Sequence, residues 1–78
     1  MLQKRSVSLS GHATSVALEA EFWGVLDVIA TAGGLSQAGL MKRIDEHRGR
    51  TPLASACRLL ALSWASGDRS FIEPFPTD

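Results

Sequence analysis

The sequence predicts a mainly α fold with a short β-ribbon, and three observations predict it. Thr14-Ser15-Val16-Ala17-Leu18 alternates with a two-residue period, the signature of a half-buried strand. From Ala20 the apolar residues recur at helical spacing instead. About a dozen residues later, Gly33-Gly34-Leu35-Ser36 joins a helix stop to a helix start, since glycine supplies the left-handed backbone that ends a helix and serine caps the next. A lone strand ahead of two short helices has unmet pairing groups, and a second copy of the chain is the simplest remedy. The expected assembly is therefore a homodimer.

Each element has its own justification. Residues 1–12 form an arm or a first strand, because Arg5, Val7 and Leu9 alternate against Lys4, Ser6, Ser8 and Ser10 before Gly11-His12 interrupts the pattern. Two alternating runs about a glycine are compatible with a hairpin, although Gly-His is a weaker turn signal than Asn-Gly. Residues 13–48 are the expected core. In the second run Thr14, Val16 and Leu18 take one side and Ala13, Ser15 and Ala17 the other.

The first helix carries Phe22, Val25, Leu26, Ile29 and Ala30 on one stripe, with Glu19 and Glu21 well placed for the helix dipole. The second carries Leu40, Met41 and Ile44 inward, and Gly39 within it suggests close approach of another backbone. Residues 49–66 form a third helix, with Thr51 as cap and Pro52 at the first helical position. Leu53, Ala56, Cys57, Leu59, Leu60, Leu62 and Trp64 make it apolar over much of its circumference, which implies cover on more than one side. Residues 67–78 read as an extended, proline-broken tail containing Phe71 and Phe75.

Composition narrows the function classes. A chain of 78 residues has room for one domain and buries only about 60% of its unfolded surface, so self-association is the expected way to complete the core. One cysteine and no apolar leader point to the reducing cytoplasm. No apolar run approaches the ~18 residues that span a bilayer, so a membrane role is excluded at this level.

Eight basic residues balance eight acidic ones, which argues against an indiscriminate polyanion binder. The distribution is uneven, however. Lys4, Arg5 and His12 lie early and Lys42, Arg43, Arg48 and Arg50 cluster later, whereas Glu19, Glu21 and Asp27 gather at the first helix. Cys57, His12 and His47 do not form a zinc set. The Gly33-Gly34 turn lacks the lysine and preceding strand of a phosphate loop. No catalytic constellation is recognisable, so no enzyme activity and no cofactor are expected.

Lys4-Arg5-Ser6-Val7, Gly11-His12, Thr14-Ser15-Val16, Leu18-Glu19, Glu21-Phe22-Trp23, Ile29-Ala30, Gly34-Leu35-Ser36 and Ile44-Asp45 together resemble the short ribbon-helix-helix domain proteins of bacteria, which have an additional C-terminal helix. The resemblance covers roughly residues 4–64. It implies a homodimer of the Arc and MetJ kind, whose ribbon enters a DNA major groove, and a transcription-regulating role. Two departures stand out: Ala17 occupies a position that is often basic or polar, and Ala20 one that is often proline.

The candidate DNA contacts are Lys4, Arg5, His12, Ser15, Ala17, Ser36 and Gln37. Ser15 and Ala17 face outward from the ribbon, Ala17 offering only an apolar contact to a thymine methyl. Lys4, Arg5 and His12 form a basic arm for phosphates or, through Arg5, a guanine edge. Ser36 with the backbone NH groups of Gln37 and Ala38 offers a phosphate site at a helix start. The expected dimer core is Val16, Leu18, Phe22, Leu26, Ile29, Leu40 and Ile44. The alternative function is a protein-interaction module of antitoxin type, with residues 53–76 engaging a partner.

Overall fold

The computed structural model describes residues 1–72. Two strands, β1 (Leu2–Leu9) and β2 (His12–Glu19), are followed by three helices, α1 (Ala20–Ala32), α2 (Gln37–His47) and α3 (Leu53–Ala65). The strands form one antiparallel hairpin in which Leu9 faces His12, Ser6 faces Ser15 and Leu2 faces Glu19. The first alternating run is therefore a strand and not an arm, and β2 has a pairing partner within its own chain.

The turn is Ser10-Gly11, one residue earlier than the expected Gly11-His12 break. Both residues have positive φ, 51° and 82°, as a two-residue type I′ turn requires. Because opposite residues of an antiparallel pair share a face, the register divides the hairpin cleanly. Gln3, Arg5, Val7, Leu9, His12, Thr14, Val16 and Leu18 face the helices; Leu2, Lys4, Ser6, Ser8, Ala13, Ser15, Ala17 and Glu19 face away.

The core closes within one chain. Leu18, Leu26, Ile29, Leu40, Met41 and Cys57 are fully buried, and Val16 and Ile44 nearly so. In α1 the centre of the buried stripe is Trp23, while Phe22 sits half-buried at the rim beneath the Arg58 guanidinium. Phe22 is thus less central than its place at the start of the apolar stripe suggested. Trp23 Nε1 donates to the Gln3 carbonyl at 2.8 Å, which ties β1 to α1.

Helix ends follow their local chemistry. Gly34, at φ 67°, is the left-handed residue after α1, with its NH on Thr31 O at 3.2 Å and the Leu35 NH on Ala30 O at 2.8 Å. These are the two bonds of a Schellman cap. Ser36 caps α2 as expected, its Oγ accepting from the Gly39 NH at 2.9 Å. Gly39 has no other backbone against it. A Cβ there would meet Ser36 Oγ at 3.1 Å, so glycine leaves room for the cap itself. At α3 the flanking residue is Pro52 (φ −55°, ψ 144°), not Thr51, and no side chain caps the helix.

Phe71 and Ile72 fold back onto the domain. The Phe71 ring lies edge-on to His47 with centroids 5.7 Å apart, and Ile72 packs against Gly33. The start of the expected tail is therefore docked, while Phe75 and the rest of residues 73–78 lie outside the described residues. No helix among the described residues is long and apolar enough to cross a membrane.

Candidate nucleic-acid interface

The outward face of the hairpin is a row of mostly short side chains. Lys4 stands opposite Ala17, Ser6 opposite Ser15, and Ser8 opposite Ala13, with Lys4, Ser6, Ser8, Ala13 and Ser15 exposed and Ala17 partly so. The first carboxylate in the sequence is Glu19, and it is engaged: Arg58 donates to Glu19 Oε1 through Nη2 at 2.9 Å and Nε at 3.1 Å. A hydrogen bond from its own backbone NH and then the Arg58 bond hold the Glu19 carboxyl below its usual pKa. The hairpin up to Leu18 consequently presents cations, hydroxyls and methyls but no anion.

The expected contacts separate into three groups. Lys4, Ser15 and Ala17 share the outward face. Arg5 does not: it lies on the helix side, its guanidinium 4.5 Å from the Trp23 ring centroid and bonded to Asp27 Oδ1 at 3.0 Å and Oδ2 at 3.3 Å. Arg5 is thus held on the helix side, apart from the outward row that carries Lys4. His12 closes the hairpin on the helix side opposite Leu9, exposed at the tip.

Ser36 and Gln37 stand at the start of α2. Ser36 Oγ is committed to Gly39 and the Leu40 NH to Ser36 O, which leaves the first-turn NH groups of Gln37 and Ala38 without an intrahelical acceptor. The Gln37 side-chain amide is enclosed, with no hydrogen-bond partner among the described residues. What this helix start offers an anion is backbone NH, not the glutamine side chain.

Sequence reasoning did not single out Ser6 and Ser8. The signal was the Ser10-Gly11 dipeptide: a two-residue turn there fixes the register and sets both serines beside the β2 row.

The model of the ribbon-helix-helix domain family matches residues 2–65, the hairpin and all three helices. The chain belongs to the ribbon-helix-helix domain family. No curated protein and no solved structure matches it significantly. In this ribbon-helix-helix domain the ribbon strand directly before the first helix is β2, and β1 adds a second strand to it. Among the described residues there is no cluster of His, Cys, Asp and Glu able to hold a metal.

A second surface feature lies on α3, where Leu59 and Leu62 are 57% and 62% exposed. Leu59 also lines a groove of about 330 Å³ shared with Ile44, His47, Leu60, Ser63 and Phe71. Cys57 and Ala61 point into the core, while these two leucines are left exposed by the described residues.

Proposed function

We propose that this ribbon-helix-helix domain is a non-enzymatic regulator that binds double-stranded DNA as a homodimer through the outward face of its hairpin. One observation carries the reading: the outward row formed by Lys4, Ser6, Ser8, Ala13, Ser15 and Ala17 contains no acid, and Glu19 at its end is paired with Arg58. Such a face can lie against a polyanion without electrostatic penalty. Short hydroxyls and methyls on it suit base edges in the major groove.

Family membership supports both DNA binding and pairing of two copies. The free edge of β2 supports the pairing independently, because Ala13-Thr14-Ser15-Val16-Ala17-Leu18 contains no charge or proline, the devices that blunt an edge strand. β1, by contrast, carries Lys4 and Arg5.

The test is fluorescence anisotropy with a labelled random-sequence duplex at low and moderate salt, alongside the solution mass of the free protein. Binding that weakens steeply with salt, by a species of twice the chain mass, is the expected result. Absence of binding at low salt sinks the reading. In that event the exposed Leu59 and Leu62 favour the second reading, an interaction module of antitoxin type that docks a partner along α3.

A further inference from the structure

A ribbon widened by β1 meets a groove of limited width. The two-residue turn makes Leu9 and His12 the first bonded pair of the hairpin. Bonded and non-bonded pairs alternate from there, so the NH and C=O groups of Ala13, Ser15 and Ala17 point away from β1 toward the free edge. A second copy related by two-fold symmetry adds antiparallel along that edge, giving the strand order β1-β2-β2-β1 across the dimer. With neighbouring strands about 4.8 Å apart, the outer two backbones stand about 14 Å apart. A major groove is about 12 Å wide and admits two strands, not four.

We infer that only the central β2 pair enters the groove, and that each β1 rides over a groove wall with Lys4, Ser6 and Ser8 turned to the phosphates. This inference rests on the DNA-binding reading above and assigns β1 a task within it. The chemistry of the two rows divides accordingly. An ammonium and two short hydroxyls donate hydrogen bonds to phosphate oxygens whatever the sequence. Ser15 can donate to or accept from a base edge, and the methyls of Ala13 and Ala17 match a thymine methyl. The register holds the rows side by side on one face, so a dimer seated by β2 brings β1 to the backbone without rearrangement.

The experiment measures the slope of log affinity against log salt for wild type, Lys4→Ala, Ser8→Lys and Ser15→Lys on a panel of unrelated duplexes. Circular dichroism melts check that each exposed substitution leaves the fold intact. Adding or removing one lysine–phosphate ion pair per protomer, and so two per dimer, changes the slope by about 1.8. Lys4→Ala should flatten it and Ser8→Lys should steepen it by that amount, equally on every duplex. Ser15→Lys should instead reorder the duplexes by affinity.

Unchanged slopes for both β1 variants, with wild-type binding intact, overturn the inference and leave the DNA-binding reading standing. So does a Ser8→Lys protein that reorders the duplexes, since β1 would then lie among the bases, or a complex with one chain per duplex. Wild type that binds no duplex at low salt overturns both.

Discussion

Trp23 reaches from the first turn of α1 to the Gln3 carbonyl on β1 at 2.8 Å, and Arg5 covers the same ring from above at 4.5 Å. The indole thus ties β1 to α1, beside the Arg5–Asp27 pair and the buried Val7. Trp23→Ala should cost about 3–5 kcal/mol, the usual range for emptying a buried aromatic site. Trp23→Phe, which keeps most of the volume but loses the NH, should cost about 1 kcal/mol for the lost bond, because the Gln3 carbonyl keeps its ladder bond from Leu18. Urea titration measures both, and amide exchange should show β1 opening first in the phenylalanine variant.

Asp27→Asn removes the charge opposite Arg5, whose side chain is 37% exposed. An ion pair so open to solvent is worth at most about 1 kcal/mol, and its loss should be small in urea. The same variant frees an arginine near the hairpin, so nonspecific DNA affinity should rise. An unchanged affinity would place Arg5 firmly on the Trp23 ring regardless of Asp27.

The register of β2 makes a paired prediction. Leu18→Asp buries an unpaired charge in the core and should abolish folding, whereas Ala17→Lys on the opposite face should change stability by no more than about 0.5 kcal/mol. The lysine should also strengthen binding to random duplex. Folded Leu18→Asp with unfolded Ala17→Lys would reverse the two faces.

Ser36 and Gly39 should be energetically coupled, since the serine hydroxyl occupies the space a Cβ on residue 39 would take. Ser36→Ala should cost about 1 kcal/mol as a lost cap. Gly39→Ala should gain little in the native background, where it crowds the cap, but up to about 1 kcal/mol of helix propensity once Ser36 is alanine. A double-mutant cycle reads the difference; strict additivity would show that the hydroxyl yields freely.

Cys57 is buried against Met41, and burial raises its thiol pKa from 9.0 to about 11. The folded state therefore disfavours the thiolate. Stability from this group is fully present below the unfolded pKa near 9 and is lost as pH rises toward 11. The urea midpoint should fall over that window and fall less in Cys57→Ala. Thiol reagents at neutral pH should label the protein only at the rate of unfolding.

Much of this architecture is legible in the sequence because each element obeys one period. The alternation of Val16 and Leu18 against Ser15 and Ala17 places the outward face correctly, and Ser36 marks the start of α2. Alternation sets Arg5 on the side of Val7 and Leu9, but sequence does not show that Trp23 and Asp27 hold its guanidinium there. Trp23 is underrated beside Phe22 because a helical stripe fixes a face to within about one residue, and one residue turns a side chain by about 100°. Thr51 has the chemistry of a cap, but the proline after it keeps extended backbone for one residue more.

The two-residue turn at Ser10-Gly11 also bears on how protomers meet. When both strands of a ribbon come from one chain, the first pairing is a local loop closure, complete in microseconds and independent of concentration. In the proposed dimer two such hairpins would then join along a strand edge without threading through each other. Protomers joined in that way would part and recombine while still folded, so mixing tagged and untagged protein should yield hybrids on the timescale of dissociation and not of unfolding. A cell holding several hairpins of this kind would draw its dimers from a shared pool, and their relative abundance would set which combinations form.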